Sequence, residues 1–141
     1  MNTACGIDEF QKSDWAQAVR LWKRVPGLGL NLADEQAGIF RFLERNAGLS
    51  LVARDDDELV GTVLTGYDGR RGYIYHACVA PEYQGRGIGK ALMTECLARL
   101  EALGLDKASL YCKVDNASGQ AFWAHSGWKC REDLVLFSWD F

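Results

Sequence analysis

The sequence predicts a mixed α/β domain in which helices pack on a largely antiparallel sheet. Three observations lead there. Residues 49–66 read as a β-hairpin, two apolar strands around the acidic turn Asp55-Asp56-Asp57. Residues 73–80 are too continuously apolar for an exposed strand and are therefore central. A glycine-rich turn then leads into a long helix and another strand, so residues 73–114 make one right-handed strand-helix-strand crossover.

Each element follows from its residues. Trp15, Ala18, Val19 and Trp22 fall at helical spacing behind Ser13, a capping candidate, and Pro26 with Gly27 and Gly29 ends that helix. A second helix begins near Asn31 or Asp34 and runs to about Asn46, with Gly48 as its stop. The hairpin strands are residues 49–54 and 59–66, and Asp68-Gly69 marks a second tight turn. The central strand ends at Pro81. Over 87–103, Ile88, Ala91, Leu92, Cys96, Leu100 and Leu103 form one apolar stripe, and Gly104 is a suitable C-cap. Residues 107–114 read as a strand, 116–125 as a short helix closed by Gly127, and 134–141 as a final strand. The expected order is α-α-β-β-β-α-β-α-β.

With 141 residues, no internal repeat and no linker-like stretch, the chain is expected to form a single domain over 1–141. Its composition, 48% hydrophobic and 25% charged, is that of a globular domain with a proper core. No apolar stretch approaches a bilayer span, so no membrane partner is expected. The first ten residues have neither a basic start nor an apolar block, so a cytoplasmic location is the expectation. A net charge of −3 argues against nucleic acid as the main partner, because there is no basic excess to displace counterions. The five cysteines, Cys5, Cys78, Cys96, Cys112 and Cys130, show no C-x-x-C spacing, so no metal is expected. They read as small apolar fillers, with a catalytic thiol at Cys78 beside His76 as the alternative.

The segment Val79-Ala-Pro-Glu-Tyr-Gln-Gly-Arg-Gly-Ile-Gly-Lys90 carries the functional signal. Gly85, Gly87 and Gly89 allow backbone conformations closed to other residues and bring N–H groups close to a ligand. Those groups sit at a helix N-terminus, where the aligned peptide dipoles favour an anion, and Arg86 and Lys90 add positive charge. Together these suit a pyrophosphate. A dinucleotide fingerprint requires G-x-G-x-x-G in a repeated parallel unit, and a Walker loop requires G-x-x-x-x-G-K-[ST]; neither is present.

Gln84, Gly87 and Gly89 match Q/R-x-x-G-x-G/A, and in this the sequence resembles the GNAT acetyltransferase superfamily, especially its small stand-alone bacterial members. Ala77-Cys78-Val79 lies upstream where the family pairs its strand with the pantetheine arm. Residues 116–128, from Asn116 to Trp128, resemble the N-x-x-A-x-x-F-Y-x-x-x-G-F block. The resemblance implies an α/β fold with helices on both faces of a mostly antiparallel sheet. It also implies a splay between the fourth and fifth strands of the family's count, here those ending near Val79 and Val114. It further implies acetyl-coenzyme A as cosubstrate, held by Ala77, Cys78, Val79, Gln84, Gly85, Arg86, Gly87, Ile88, Gly89, Lys90, Asn116 and Trp123. The acyl group would pass directly to a primary amine in a ternary complex, and the oxyanion donor would be the main-chain N–H of Ala77 or a neighbour.

Attack needs a group to accept the amine proton. His76, Tyr73, Tyr75 and Glu82 are candidates by strand position. His76 has a suitable intrinsic pKa but serves equally as a structural histidine. The sequence departs from the family at Trp123, where a tyrosine usually serves the leaving thiolate. Indole cannot usefully give up a proton, which leaves Tyr111 as the nearest phenol, or a thiolate that departs unaided. Asn116 would cap the next helix, contact the cofactor, or both. The missing tyrosine leaves room for an alternative, a catalytically inactive acyl-coenzyme A binding or sensing module. The acceptor is open between a small-molecule amine and a peptide or protein amine. Val135, Phe137, Trp139 and Phe141 could supply a dimer-forming strand, so a homodimer is also open.

Overall fold

One long, continuously buried strand organises the sheet of this computed structural model, which describes residues 5–141. That strand, β3 (Glu58–Tyr67), is buried along almost its whole length, so both of its faces are covered. It lies third in a five-stranded sheet of order β1-β2-β3-β4-β5, with β1 (Gly6–Glu9), β2 (Leu51–Asp55), β4 (Gly72–Val79) and β5 (Ala108–Leu110). β1 to β4 run antiparallel in succession, and β5 joins β4 in parallel. The chain divides into two units, one ending at Tyr111 and the other spanning Cys112–Phe141.

Three helices cover the sheet of the first unit: α1 (Trp15–Arg24), α2 (Gln36–Arg45) and α3 (Ile88–Ala102). Even-numbered residues of β3 face α1 and α2. The Trp22 indole N–H donates to the Thr62 hydroxyl, and a Cβ at Gly66 would strike Phe42 and Asn46. Odd-numbered residues face α3, since a Cβ at Gly61 would press on Leu92. The period of two along a strand makes this division. Trp22, Leu51, Val52, Val60, Val63, Leu92 and Cys96 are fully buried and form the centre of the core. The stripe expected on α3 is present at Ile88, Leu92, Cys96 and Leu100 and gains Met93, while Ala91 and Leu103 are exposed. Gly104, at φ +83°, ends α3 as expected.

Four expectations are corrected. Ser13 does not cap α1: it lies within a 3-10 turn (Lys12–Asp14) held by a reciprocal box between Gln11 and Asp14. β1 was not expected, because Gly-Ile-Asp-Glu shows no apolar alternation; it forms by pairing with the edge of β2, from Gly6 opposite Arg54 to Glu9 opposite Leu51. β5 covers Ala108–Leu110 rather than 107–114. Residues 134–141 form no strand: Val135, Phe137, Trp139 and Phe141 are exposed, and their alternation has no ladder partner among the described residues. Residues 1–4, which bear on the expected absence of a signal segment, lie outside the described residues. No described helix is long and apolar enough to cross a membrane.

The second unit contains α4 (Ala117–His125). The Asn116 side chain caps it by accepting from the Gly119 N–H at 2.9 Å. Trp123 packs edge-on against Phe122 and Trp128, with ring centroids 4.9 and 5.6 Å apart.

Candidate functional site

Two features of the first unit meet where β4 hands over to α3: a glycine loop and an irregular, half-open strand. In the loop, Gly85 and Gly87 hold φ of +81° and +82°, a region that L side chains rarely adopt. A Cβ at either glycine would meet nothing within 4 Å, so conformation, and not crowding by the protein, demands glycine. Gly87 is the N-cap of α3 and provides no side-chain cap, which leaves the first-turn N–H groups available to an anion. Gln84 ties the loop to β4 by donating to the Val79 carbonyl at 3.1 Å. Arg86 lies over the Tyr83 ring at 4.8 Å and donates to the Glu82 carbonyl at 3.1 Å. The Tyr83 hydroxyl in turn donates to Asp55 in a short bond that pushes its pKa up to about 12. Ile88 is buried beneath the loop, and Lys90 is exposed in the first turn of α3.

The parallel ladder between β4 and β5 stops at Ile74 opposite Leu110. From Tyr75 to Val79, the β5-side edge of β4 has no ladder partner among the described residues. The Ala80 N–H donates to the Val60 carbonyl at 2.7 Å, so strand alternation turns the Val79 N–H and carbonyl toward that open edge. The unpaired edge lies on the β4 side of the expected splay.

A bulge interrupts β4 at this point. Thr62 opposes Cys78 and Leu64 opposes Tyr75, so the single residue Val63 faces two, His76 and Ala77. His76 takes up the extra length at φ +46°, a left-handed conformation uncommon outside glycine. Thr62, fully buried, holds the bulge through a saturated hydroxyl. It donates to the His76 carbonyl at 2.8 Å, accepts from the Trp22 indole at 2.9 Å, and lies 3.6 Å from Cys78 Sγ. In a regular strand Tyr75 and His76 would face opposite sides. Here both face α1 and α2: Tyr75 meets Phe42 edge-on at 6.0 Å, and the His76 ring lies 4.7 Å from that of Trp22.

His76 Nε2 and Asp34 Oδ1 are hydrogen-bonded at 2.6 Å, with side chains only 16% and 10% exposed. Asp34 closes a 3-10 turn (Leu32–Asp34). Its Oδ2 accepts the Asn31 N–H at 3.0 Å, and its carbonyl accepts the Trp15 indole N–H at 3.0 Å. Gly38 lets α2 approach this turn, since a Cβ there would lie 2.4 Å from the Ala33 carbonyl oxygen. Neither Asp34 nor Thr62 was singled out as a site residue from sequence. The only signal for Asp34 was its place three residues after Asn31, a capping-box spacing.

The other expected residues separate. Tyr75 is 40% exposed, and its phenol is raised above its ordinary value chiefly by burial. Tyr111, 59% exposed, follows β5 and lies close enough to Tyr75 to add to that rise. Glu82 is engaged by Arg24 at 2.7 and 2.5 Å, which holds its carboxyl below the ordinary range. Burial pushes the Cys78 thiol up to about 11, so it is no poised nucleophile. Asn116 and Trp123 belong to the second unit, the first as a helix cap and the second in an aromatic cluster.

Comparison with known proteins supplies a family. The model of the acetyltransferase (GNAT) family matches residues 14–128. An acetyltransferase of Photorhabdus laumondii subsp. laumondii is 38% identical over 110 residues, covering 78% of this chain and 76% of that protein. Among solved structures, the PaiA N-acetyltransferase of Thermoplasma acidophilum, in complex with coenzyme A, superposes with a TM-score of 0.81 at 18% identity, over 91% of each chain. An acetyltransferase from Streptococcus agalactiae superposes with a TM-score of 0.80 at 18% identity, over 99% of this chain and 93% of that one.

Proposed function

This chain belongs to the acetyltransferase (GNAT) family, and we propose that it transfers the acetyl group of acetyl-coenzyme A directly to a primary amine within a ternary complex. The observation that carries the reading is the conjunction at the end of β4: an open strand edge running into an uncapped helix start with two positive-φ glycines. An extended chain carrying amides and a diphosphate fits that conjunction, with the amides along the edge of β4 and the diphosphate at the helix start.

Bound there, the cosubstrate supplies an activated acyl thioester. The chain's own residues supply position and charge. Val79 offers its main-chain N–H to the amide-bearing arm, its carbonyl already accepting from Gln84, and Ala77, on the bulge, is the oxyanion donor. The N–H groups after Gly87, together with Arg86 and Lys90, hold the diphosphate. Fixing both reactants in attack geometry removes much of the entropic barrier, which makes positioning the main catalytic task. Trp123 in place of a tyrosine removes the family's usual acid, so the thiolate departs unaided or takes its proton from Tyr111. That substitution also motivates a second reading, a binding or sensing module without turnover. The acceptor class is a small-molecule amine or a peptide or protein amine, and a cytoplasmic location agrees with such chemistry.

Acetyl-coenzyme A should raise Tm by several degrees at a hundredfold excess over Kd. Gly87→Glu, which places a carboxylate at the diphosphate position, should abolish that shift. Because φ +82° strains any L-residue, its own Tm will fall; the ligand-induced shift is therefore the readout, and Arg86→Glu, free of backbone strain, should reduce it too. No shift for the unmodified protein at millimolar ligand would refute the reading. Thiol release across a panel of amines separates the enzyme from the sensing module.

A further inference from the structure

We infer that Asp34 and His76 form a general-base dyad in which Asp34 is a positioning residue and His76 Nδ1 takes the proton of the acceptor amine. The inference rests on the acyltransferase reading above. Its physical core is the hydrogen-bond directionality around one carboxylate. An ionised carboxylate only accepts, so the neutral His76 ring must carry its proton on Nε2, which bonds Asp34 Oδ1 at 2.6 Å. Nδ1 then bears the lone pair, and among the described residues it has no hydrogen-bond partner. Asp34 cannot rotate away, because its other oxygen is held by the Asn31 N–H and its carbonyl by the Trp15 indole. The ring is braced from one side by Trp22. A freely tumbling surface histidine has none of these restraints.

The bulge explains why the dyad sits where a base is useful. His76 is the residue immediately before Ala77, the proposed oxyanion donor, and Thr62 fixes the peptide between them through the His76 carbonyl. One irregularity thus orients both the main-chain donor and the imidazole. The step balances without an outside reactant. The substrate ammonium gives one proton to Nδ1, and the resulting imidazolium keeps its Nε2–H on Asp34. The freed nitrogen lone pair forms the C–N bond as the C–S pair departs on sulfur. Sulfur takes the second nitrogen proton, and the imidazolium returns its own to water.

Asp34→Asn makes a sharp test because the orientation of the new amide is dictated. The Asn31 N–H can only donate, so the amide oxygen must take its side, and the NH2 group then faces His76 Nε2. That forces the proton onto Nδ1 and removes the basic lone pair. The chain has two histidines, so His125→Ala leaves one ring to observe. In that background, long-range 1H–15N spectra at a pH where the ring is neutral should show the Nε2–H tautomer. They should show the Nδ1–H tautomer after Asp34→Asn.

With acetyl-coenzyme A and the most active amine of the panel, Asp34→Asn should lower kcat by about 10²-fold or more. KM for acetyl-coenzyme A and the ligand-induced Tm shift should be unchanged. His76→Gln should fall comparably, and the double variant little further. If Asp34→Asn fails to fold, His76→Gln and the tautomer of the unmodified ring still decide the matter. An Nδ1–H tautomer in the unmodified protein, or a kcat within twofold after His76→Gln, overturns the dyad while leaving the enzyme reading intact. Absence of any acetyl-coenzyme A Tm shift, or of thiol release with every amine, overturns the underlying reading by a separate measurement.

Discussion

The glycine loop and the β4 bulge lie within a few residues of each other, and both use left-handed backbone to aim main-chain groups at one place. They are encoded differently. The loop puts its positive φ at Gly85 and Gly87, residues that adopt it without strain. The bulge puts φ +46° at His76, which tolerates it only because partners distant in sequence hold it there. The loop is thus a local property of six residues. The bulge is a tertiary property, set by Thr62 on the neighbouring strand, Trp22 on α1 and Asp34 before α2.

The largest effect should come from removing what holds the bulge. Thr62→Val keeps the volume of a fully buried side chain but leaves the Trp22 indole N–H and the His76 carbonyl without their partner. Each orphaned buried group costs about 1–3 kcal/mol, so we expect a loss of about 3 kcal/mol, read as a lower urea midpoint at constant slope. Turnover of the folded fraction should also fall, while the Tm shift caused by acetyl-coenzyme A persists, because the loop needs nothing from Thr62. If both vanish together, loop and bulge are one unit and the distinction fails.

The same distinction sets what was legible in the sequence. The turn at Gly85 and Gly87, the helix that follows and the Gly104 stop were readable, because turn chemistry and a 3.6-residue stripe are local signals, whereas Gly89 lies within α3 without positive φ. The splay was readable only through family resemblance. The common face of Tyr75 and His76 was not, since period-two reasoning places neighbours on opposite sides and a bulge is invisible to it. Asp34 was hidden for a related reason: it reads as a helix start, and its second role depends on a strand 42 residues away. β1 and residues 134–141 mark opposite failures of strand reading. The first lacks alternation yet pairs, and the second alternates yet has no ladder among the described residues.

A smaller effect should sharpen the loop side of the comparison. Tyr83 supports Arg86 from below through its ring and is itself anchored to Asp55 through its hydroxyl. Tyr83→Phe keeps the ring and should leave the Kd for acetyl-coenzyme A nearly unchanged, whereas Tyr83→Ala should weaken binding a few-fold. The hydroxyl contributes to stability fully below its ordinary value of 10.0, and that contribution should be lost as pH rises through the raised value of about 12. Phe should not show this loss. Equal weakening by Phe and Ala would mean that the hydroxyl anchor, and not the ring, positions Arg86.

The smallest effect is expected at Glu82, the other carboxylate near the loop. Its side chain is 54% exposed and paired with Arg24, itself 49% exposed, and such surface pairs contribute little. The Arg24 hydrogen bond lowers the carboxyl below its ordinary 4.5, which makes it a weaker base at neutral pH. Its share of stability is present above 4.5 and lost as pH falls through the lowered value. Glu82→Gln should therefore leave kcat within about twofold at neutral pH, against the roughly hundredfold loss expected for His76→Gln. The contrast tests where proton transfer resides. If Glu82→Gln costs as much as His76→Gln, the base lies on the 3-10 turn Pro81–Tyr83 beside the glycine loop, and the chemistry belongs to the locally encoded region instead of the bulge.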